Sequence, residues 1–445
     1  IPTPIHKHFI VPRRTSTLYT GREEEETIIK ATFEDKTCLD QKILVLFGEE
    51  GSGKTELALK YAEDFRARFW GVFFIDGSSR KCLSEGYANI ARNTVPWLLI
   101  IDDANITGVD FNDMLPAGRQ GCIIITSPIS KFMRHGNAGK KYLMVQHMKE
   151  EDTIYLILRA AAYSPPWKLT SKISARKITK TSGTSPLGLV AAGNVIKHHL
   201  CSLEDYPAFH QRQSTLLLSH QRKSLWRWAN DEHTTSALLH RDYIDIISPL
   251  EMLCSSLKAN KQRSSRDAFE LLNIFSYLDY KHFHLGLLFN AALNYSTEGL
   301  ETDEAEKSYR NWLRRFRQYI TTRLSQYLNS VALSTPSPLP QILRNDRGLG
   351  SDEFEEELRT RLDRATHILL QRSLIMAEEG ENQYSMHRLV QKWVRERLSI
   401  SDRAYWCGIA TTIQARNVSA LHYGEIGDVD EEELERELSR HIEHI

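Results

Sequence analysis

The sequence predicts a doubly wound α/β domain with a parallel sheet, followed by a helical subdomain and a winged-helix subdomain, and three observations carry that prediction. Short apolar runs alternate with helix-patterned segments through the first third of the chain, as strands buried on both faces do. One of those runs feeds a glycine-rich loop that opens a helix, Gly48-Glu49-Glu50-Gly51-Ser52-Gly53-Lys54-Thr55. From about Lys149 the strand signals stop and amphipathic helical stretches take over, interrupted only by a hairpin pattern near residue 380.

The elements follow in order. Residues 1–21, with Pro2, Pro4, Pro12, Arg13 and Arg14, read as a basic, extended lead-in. A helix is expected over roughly Glu23–Phe33. Strands are expected at Ile43–Phe47, Trp70–Ile75, Trp97–Ile101, Cys122–Thr126 and Tyr142–Val145, with helices from Lys54 and near Lys81–Arg92 between them. Glu150–Tyr163, Ser171–Ser182 and Pro186–Leu200 have the spacing of three amphipathic helices. Residues 207–263 are polar and poorly patterned and read as a loop with helical pieces. Asp267–Leu278 restarts a helix, and Lys307–Leu328 carries an apolar stripe that Thr335–Pro340 breaks with three prolines. Phe354–Gln371 is helical. Leu374–Ala377 and Gln383–Met386 flank the turn Glu378–Asn382, and a helix runs on to Leu398. Helices, a hairpin and a closing helix are the order of a winged helix. The corresponding division is a lead-in over 1–21, a P-loop domain over 22–148, a helical subdomain over 149–263, a winged-helix subdomain over 264–400 and a helical extension over 401–445.

The composition narrows the setting. At 445 residues the chain exceeds what one core organises. Lys and Arg number 57 against 57 Asp and Glu, so no global charge favours nucleic acid or an anionic membrane. Cys38, Cys82, Cys122, Cys201, Cys254 and Cys407 are scattered without a CxxC pair, the pattern of reduced thiols in a cytoplasmic protein. Apolar runs such as Trp97–Ile101 are of strand length, far short of a membrane span. The chain opens at Ile1 without an initiator methionine, so a fragment of a longer protein is expected. The arginines of the 307–323 stretch (Arg310, Arg314, Arg315, Arg317, Arg323) read as the solvated face of a helix, since acidic residues lie just upstream.

The chemistry sits in the first third. Glycines at positions 48, 51 and 53 let backbone N–H groups curl around a phosphate chain, and the following helix aims its positive N-terminus at the same anion. Lys54 is expected to reach the β- and γ-phosphates, Ser52 to lie in the cradle, and the Thr55 hydroxyl to ligate Mg²⁺. Trp97-Leu98-Leu99-Ile100-Ile101-Asp102-Asp103 is an apolar strand ending in two carboxylates. Asp102 is expected to hold the Mg²⁺ shell and Asp103 to orient or deprotonate water. No N-K-x-D sequence for guanine is present, so ATP or ADP is the preferred nucleotide.

Several phrases, taken in order, resemble the NB-ARC domain of the STAND class of P-loop ATPases: Tyr19-Thr20-Gly21-Arg22-Glu23, the P-loop, Leu98–Asp103, Gly121–Ser127, Ser185-Pro186-Leu187-Gly188-Leu189 and Met386-His387-Arg388. Phe9-Ile10-Val11-Pro12-Arg13, Ala268–Leu278 and Ser385–Arg395 look most like the fungal, NOD-like-receptor-type members, which often end in tetratricopeptide repeats. The resemblance spans about Phe9 to Leu398. It implies that Gly21 and Arg22 lie near the adenosine end of the nucleotide, that Pro186 packs near adenine, and that His387 bonds the β-phosphate of ADP and clamps the winged helix shut. It implies an ADP/ATP-operated signalling switch that oligomerises when open, in innate-immunity or incompatibility-type signalling, with an upstream effector domain and C-terminal repeats lying outside this chain. Two departures stand out. The family's sensor strand usually ends in an arginine, whereas here Thr126-Ser127 is followed by Pro128, which points to slow hydrolysis subordinate to switching. The acid that follows the family's histidine is Arg388 here. A turnover-driven ATPase and a winged-helix DNA-binding regulator are the alternatives.

Overall fold

The computed structural model describes residues 8–34, 41–80, 83, 97–106, 111–116, 121–146, 148–220, 237–281, 283–293, 339–380 and 382–422. Two compact units divide the chain, Ile1–Met252 and Leu253–Ile445.

The first unit is an α/β P-loop NTPase fold. Its strands are β1 (His8–Ile10), β2 (Lys42–Phe47), β3 (Gly71–Asp76), β4 (Trp97–Asp102), β5 (Cys122–Ser127) and β6 (Tyr142–Met144). They form one sheet in the order β1-β3-β4-β5-β2-β6, with every pairing parallel. One strand, β5, therefore stands between the strand that enters the glycine-rich loop and the strand that ends in the carboxylates. Helices α1 (Glu23–Glu34) and α2 (Lys54–Asp64) cover one face. Leu44, Leu46, Leu98, Ile100 and Ile124 point there and pack with Ile29, Phe33, Leu57 and Tyr61. The alternate residues Ile43, Val45, Leu99, Ile101, Ile123 and Ile125 form the core of the other face with Phe111 and Phe132. Both faces are thus dry, which is why the strands read as unbroken apolar runs.

The lead-in has more structure than its composition announces. His8–Ile10 adds an edge strand beside β3, and the following residues are strapped to α2. Arg13 pairs with Glu56 at 2.5 Å, and the backbone N–H groups of Ser16 and Thr15 donate to Glu56 and Glu63.

Helices α3 (Glu150–Ala160), α4 (Leu169–Thr181) and α5 (Pro186–Lys197) fall where the periodicity predicts them. Among the described residues of 207–263, the expected helical pieces are long: most of α6 (Tyr206–His220), all of α7 (Ala237–Ala259) and the first residue of α8 (Arg263–Phe275). The pattern hides α6 because Tyr206, His210 and Leu217 are its buried residues among many polar ones. In α7, Pro249 reads as a breaker. A proline there cannot serve the Asp245 carbonyl four residues back, and the buried His210 lies nearby, its Nε2 3.8 Å from Asp245 Oδ1.

The second unit runs α8, β7 (Phe283–His284), α9 (Gly286–Leu293), α10 (Ser351–Gln371), β8 (Met376–Ala377), β9 (Gln383–Ser385) and α11 (Arg388–Glu396), then α12 (Ile400–His422). The strands pair antiparallel in the order β7-β9-β8. That is winged-helix topology, with the expected hairpin as its wing and a first strand, β7, too short for the sequence to show. Phe275 stacks on Phe283 at 4.0 Å in the core, and the buried Arg361 of α10 forks onto the Asp267 carboxylate of α8 at 2.8 and 3.0 Å. The expected helix near Lys81–Arg92, apart from Leu83, the stripe over Lys307–Leu328 and the acidic run Asp428–Glu437 lie outside the described residues.

Candidate functional site

The sequence-predicted residues of the first unit converge at the C-terminal edge of the sheet. Gly51 and Gly53 have φ of 79° and 91°, left-handed values that reverse the chain between β2 and α2. A Cβ on Gly48 would meet the Val145 carbonyl at 2.5 Å, so this position admits glycine alone. The loop closes with the Ser52 N–H donating to Glu49 O at 3.2 Å, and the Gly48 N–H ties it to Ser127 O at 3.3 Å. The Lys54 ammonium is buried at the mouth and donates to the carbonyls of Gly48 and Glu49 at 2.8 and 2.7 Å. Burial lowers its pKa, with Asp102 first among the acids that oppose the shift. The Ser52 hydroxyl is buried without a protein hydrogen-bond partner.

Beside the loop, Asp102 is nine-tenths buried, and its Oδ1 accepts from the hydroxyls of Thr55 and Thr126, each at 2.7 Å. Asp103 follows with φ of 57°, and its N–H donates to Thr126 Oγ1 at 2.9 Å. A hydroxyl and a carboxylate in contact at the foot of a phosphate cradle are hard oxygen donors, the set that suits Mg²⁺.

Gly21 and Arg22 brace the loop from the side. Gly21, at φ 70°, leaves no room for a Cβ, which would stand 2.3 Å from Asp152 Oδ2. Arg22 is buried and donates to Glu25 at 2.8 Å, to Ser52 O at 3.0 Å and to Gln146 O at 2.7 Å. Its guanidinium therefore acts on the loop from behind, orienting the peptide that follows Ser52. Pro186, at the first position of α5, lies over Gly53: a Cβ built there would be 3.8 Å from Pro186 Cγ, while one on Gly51 would touch Leu187 at 3.2 Å. The Ser185 hydroxyl donates to Gly51 O at 3.4 Å. Ser185 and the first turn of α5 thus cover the cradle.

His387 belongs to the second unit, where it caps α11. Its Nδ1 accepts from the Leu389 N–H at 3.1 Å, so the neutral ring carries its proton on Nε2.

Sequence reasoning singled out these residues but, while quoting Thr126, Ser127 and Leu187 within motif phrases, gave them no role in the site. The register finds the first two: Ile101 pairs with Ile125, which places residue 126 beside Asp102. Leu187 carried no chemical signal.

A family profile described as a domain of unknown function (DUF7779) matches residues 340–403, from before α10 to the start of α12. No curated protein matches. Among solved structures, the chain is similar to the Walker-type ATPase Paby2304 of Pyrococcus abyssi, at 12% identity over 86% of this chain and 99% of that one, with a TM-score of 0.34. It is also similar to the Thermotoga maritima RuvB Holliday junction branch migration motor, at 13% identity over 87% and 99%, with a TM-score of 0.28. Both likenesses are distant, and the P-loop fold is read from strand order and loop geometry.

Proposed function

We propose that this chain binds ADP or ATP with Mg²⁺ and uses the bound nucleotide as a conformational switch. The observation that carries the reading is the convergence of a left-handed glycine cradle, a buried Lys54 and the Thr55–Asp102 contact at one sheet edge. The cradle supplies backbone N–H donors and a helix N-terminus to the phosphates, and Lys54 supplies one ammonium. Thr55 and Asp102 would hold Mg²⁺, which neutralises phosphate charge when bound. Gly21, Arg22, the Ser185–Leu187 cover and the cradle itself position the nucleotide.

The switch reading draws on the NB-ARC resemblance and on His387. By that resemblance His387 would bond the β-phosphate of ADP in a closed state, and exchange for ATP would favour an open, oligomerising one. Slow hydrolysis suits this role. Ser127, where the sensor strand ends, donates its hydroxyl to Ala104 O at 2.6 Å, and Pro128 follows it. The DNA-binding alternative is disfavoured by the winged helix itself. The outward residues of α10 include Asp352, Glu353, Glu356 and Asp363 against Arg359 and Arg364, and the wing turn adds Glu378 and Glu379. A phosphate backbone would be repelled there.

The test is calorimetric titration of the full chain with ADP and ATP in Mg²⁺, followed by sizing of each loaded form. Binding is expected, with a larger ATP-loaded species, and Lys54→Ala should lose roughly 30-fold or more in affinity, the equivalent of one charge-assisted contact of about 2 kcal/mol. A folded wild type that ignores both nucleotides sinks the proposal.

A further inference from the structure

The ends of β4 and β5 are joined by four hydrogen bonds that involve only two residues of β5. Thr126 Oγ1 donates to Asp102 Oδ1 at 2.7 Å and accepts the Asp103 N–H at 2.9 Å. The Thr126 carbonyl accepts the Ala104 N–H at 2.9 Å, and Ser127 Oγ donates to Ala104 O at 2.6 Å. Thr126 and Ser127 are 1% and 0% exposed, so these contacts are made without competition from water.

A threonine hydroxyl has one hydrogen to donate. Here it is committed to Asp102, and its lone pair to the Asp103 N–H. While that arrangement stands, Thr126 has no hydrogen with which to sense a phosphate or a water. It acts on the Asp102 carboxylate and the Asp103 backbone instead. Thr55 reaches the same Asp102 oxygen from the helix side at 2.7 Å, so the carboxylate is held between two donors on two different elements. Asp103, in the bend just past the end of β4, adopts a left-handed backbone at φ 57°. Its own N–H and that of Ala104 are both fixed by Thr126, which accounts for how the turn is maintained.

We propose that Thr126 is a positioning residue for Mg²⁺–nucleotide binding: it presets the Asp102–Asp103 pair so that the metal-binding carboxylate is oriented before nucleotide arrives. The inference rests on the nucleotide reading above. Its signature is specific, because the hydroxyl orients the metal side of the site and touches neither the cradle nor Lys54. Loss of the hydroxyl should therefore weaken the response to metal and leave metal-free binding intact.

The experiment follows fluorescent N-methylanthraniloyl-ADP binding to the full chain, in EDTA and across a Mg²⁺ titration, for wild type, T126V, T126S and K54A. Valine keeps the shape and removes the hydroxyl, while serine keeps the hydroxyl. T126V should lose at least about tenfold of the affinity gained from Mg²⁺, with EDTA binding within about twofold of wild type, and T126S should restore the response, as expected for one hydrogen bond to a charged group. If T126V does not fold, T126A is read against T126S in its place. A hydroxyl-free variant that tracks wild type through the titration overturns the assignment, as does T126S losing the response or a wild type indifferent to Mg²⁺. Those results leave nucleotide binding standing wherever wild type binds and K54A does not. A wild type that binds nothing fails the parent reading instead.

Discussion

Removing the Arg22 guanidinium should loosen the P-loop from behind without touching the nucleotide face. The side chain is buried and serves three acceptors: Glu25 Oε1 at 2.8 Å, Ser52 O at 3.0 Å and Gln146 O at 2.7 Å. Hydrogen bonds to charged groups are each worth about 1.5–3 kcal/mol, and neighbours sharing one side chain are not additive. Arg22→Ala also leaves two carbonyls with a lost donor. A local opening cost lower by about 3 kcal/mol follows, which corresponds to roughly 150-fold faster amide exchange in the segment. Hydrogen exchange read by mass spectrometry resolves this at the amides the loop protects, those of Gly48, Ser52 and Leu57. Peptides from α8, in the second unit, serve as the control and should keep their wild-type rates. Arg22→Lys, with charge but no fork, should fall between. Wild-type exchange at residues 48–57 in Arg22→Ala would refute the reasoning, and so would an equal acceleration in both units, which signals a general loss of stability.

Two further outcomes are expected. In the winged helix, Arg361→Ala or Asp267→Ala should each cost about 3–5 kcal/mol, because each strands a buried charge, whereas Arg361→Met with Asp267→Leu should recover most of it; chemical unfolding followed by tryptophan fluorescence compares the three. His210 sets a pH limit in the first unit. Burial pulls its pKa from 6.5 down to about 4, with the Asp245 carbonyl opposing. The unfolded chain then binds the extra proton between those values, so this contribution is present above about pH 6.5 and is lost as pH falls towards 4, up to about 3 kcal/mol. Melting temperatures across that window should drop less steeply in His210→Gln than in wild type.

Much of this site is legible in the sequence because its chemistry demands particular residues at fixed spacing. Gly48, Gly51, Gly53, Lys54 and Thr55 announce a cradle, and the apolar strand before Asp102-Asp103 announces where the carboxylates stand. The helices α3 and α4 are legible for a different reason, their periodic apolar residues, and α5 as an apolar run opened by Pro186 and buried nearly all round. What escaped reading depends on contacts distant in sequence. The helix α7 runs through Pro249, which a local pattern reads as a breaker. His8–Ile10 is a strand only because β3 offers an open edge. Arg22 is legible as a motif residue, but its work on Ser52 O and Gln146 O becomes visible only once the chain is folded.

The placement of β5 between the loop strand and the carboxylate strand has an evolutionary corollary. Its interior residues, Ile123, Ile124 and Ile125, need chiefly to be apolar and of similar volume, so exchanges among valine, leucine and isoleucine cost about 0.5–1.5 kcal/mol each. Its length is another matter. Side chains alternate along a strand, so gaining or losing one residue before Thr126 would turn the hydroxyl away from Asp102 and bring its neighbour round in its place. This strand can drift in composition, while insertions and deletions within it should be purged.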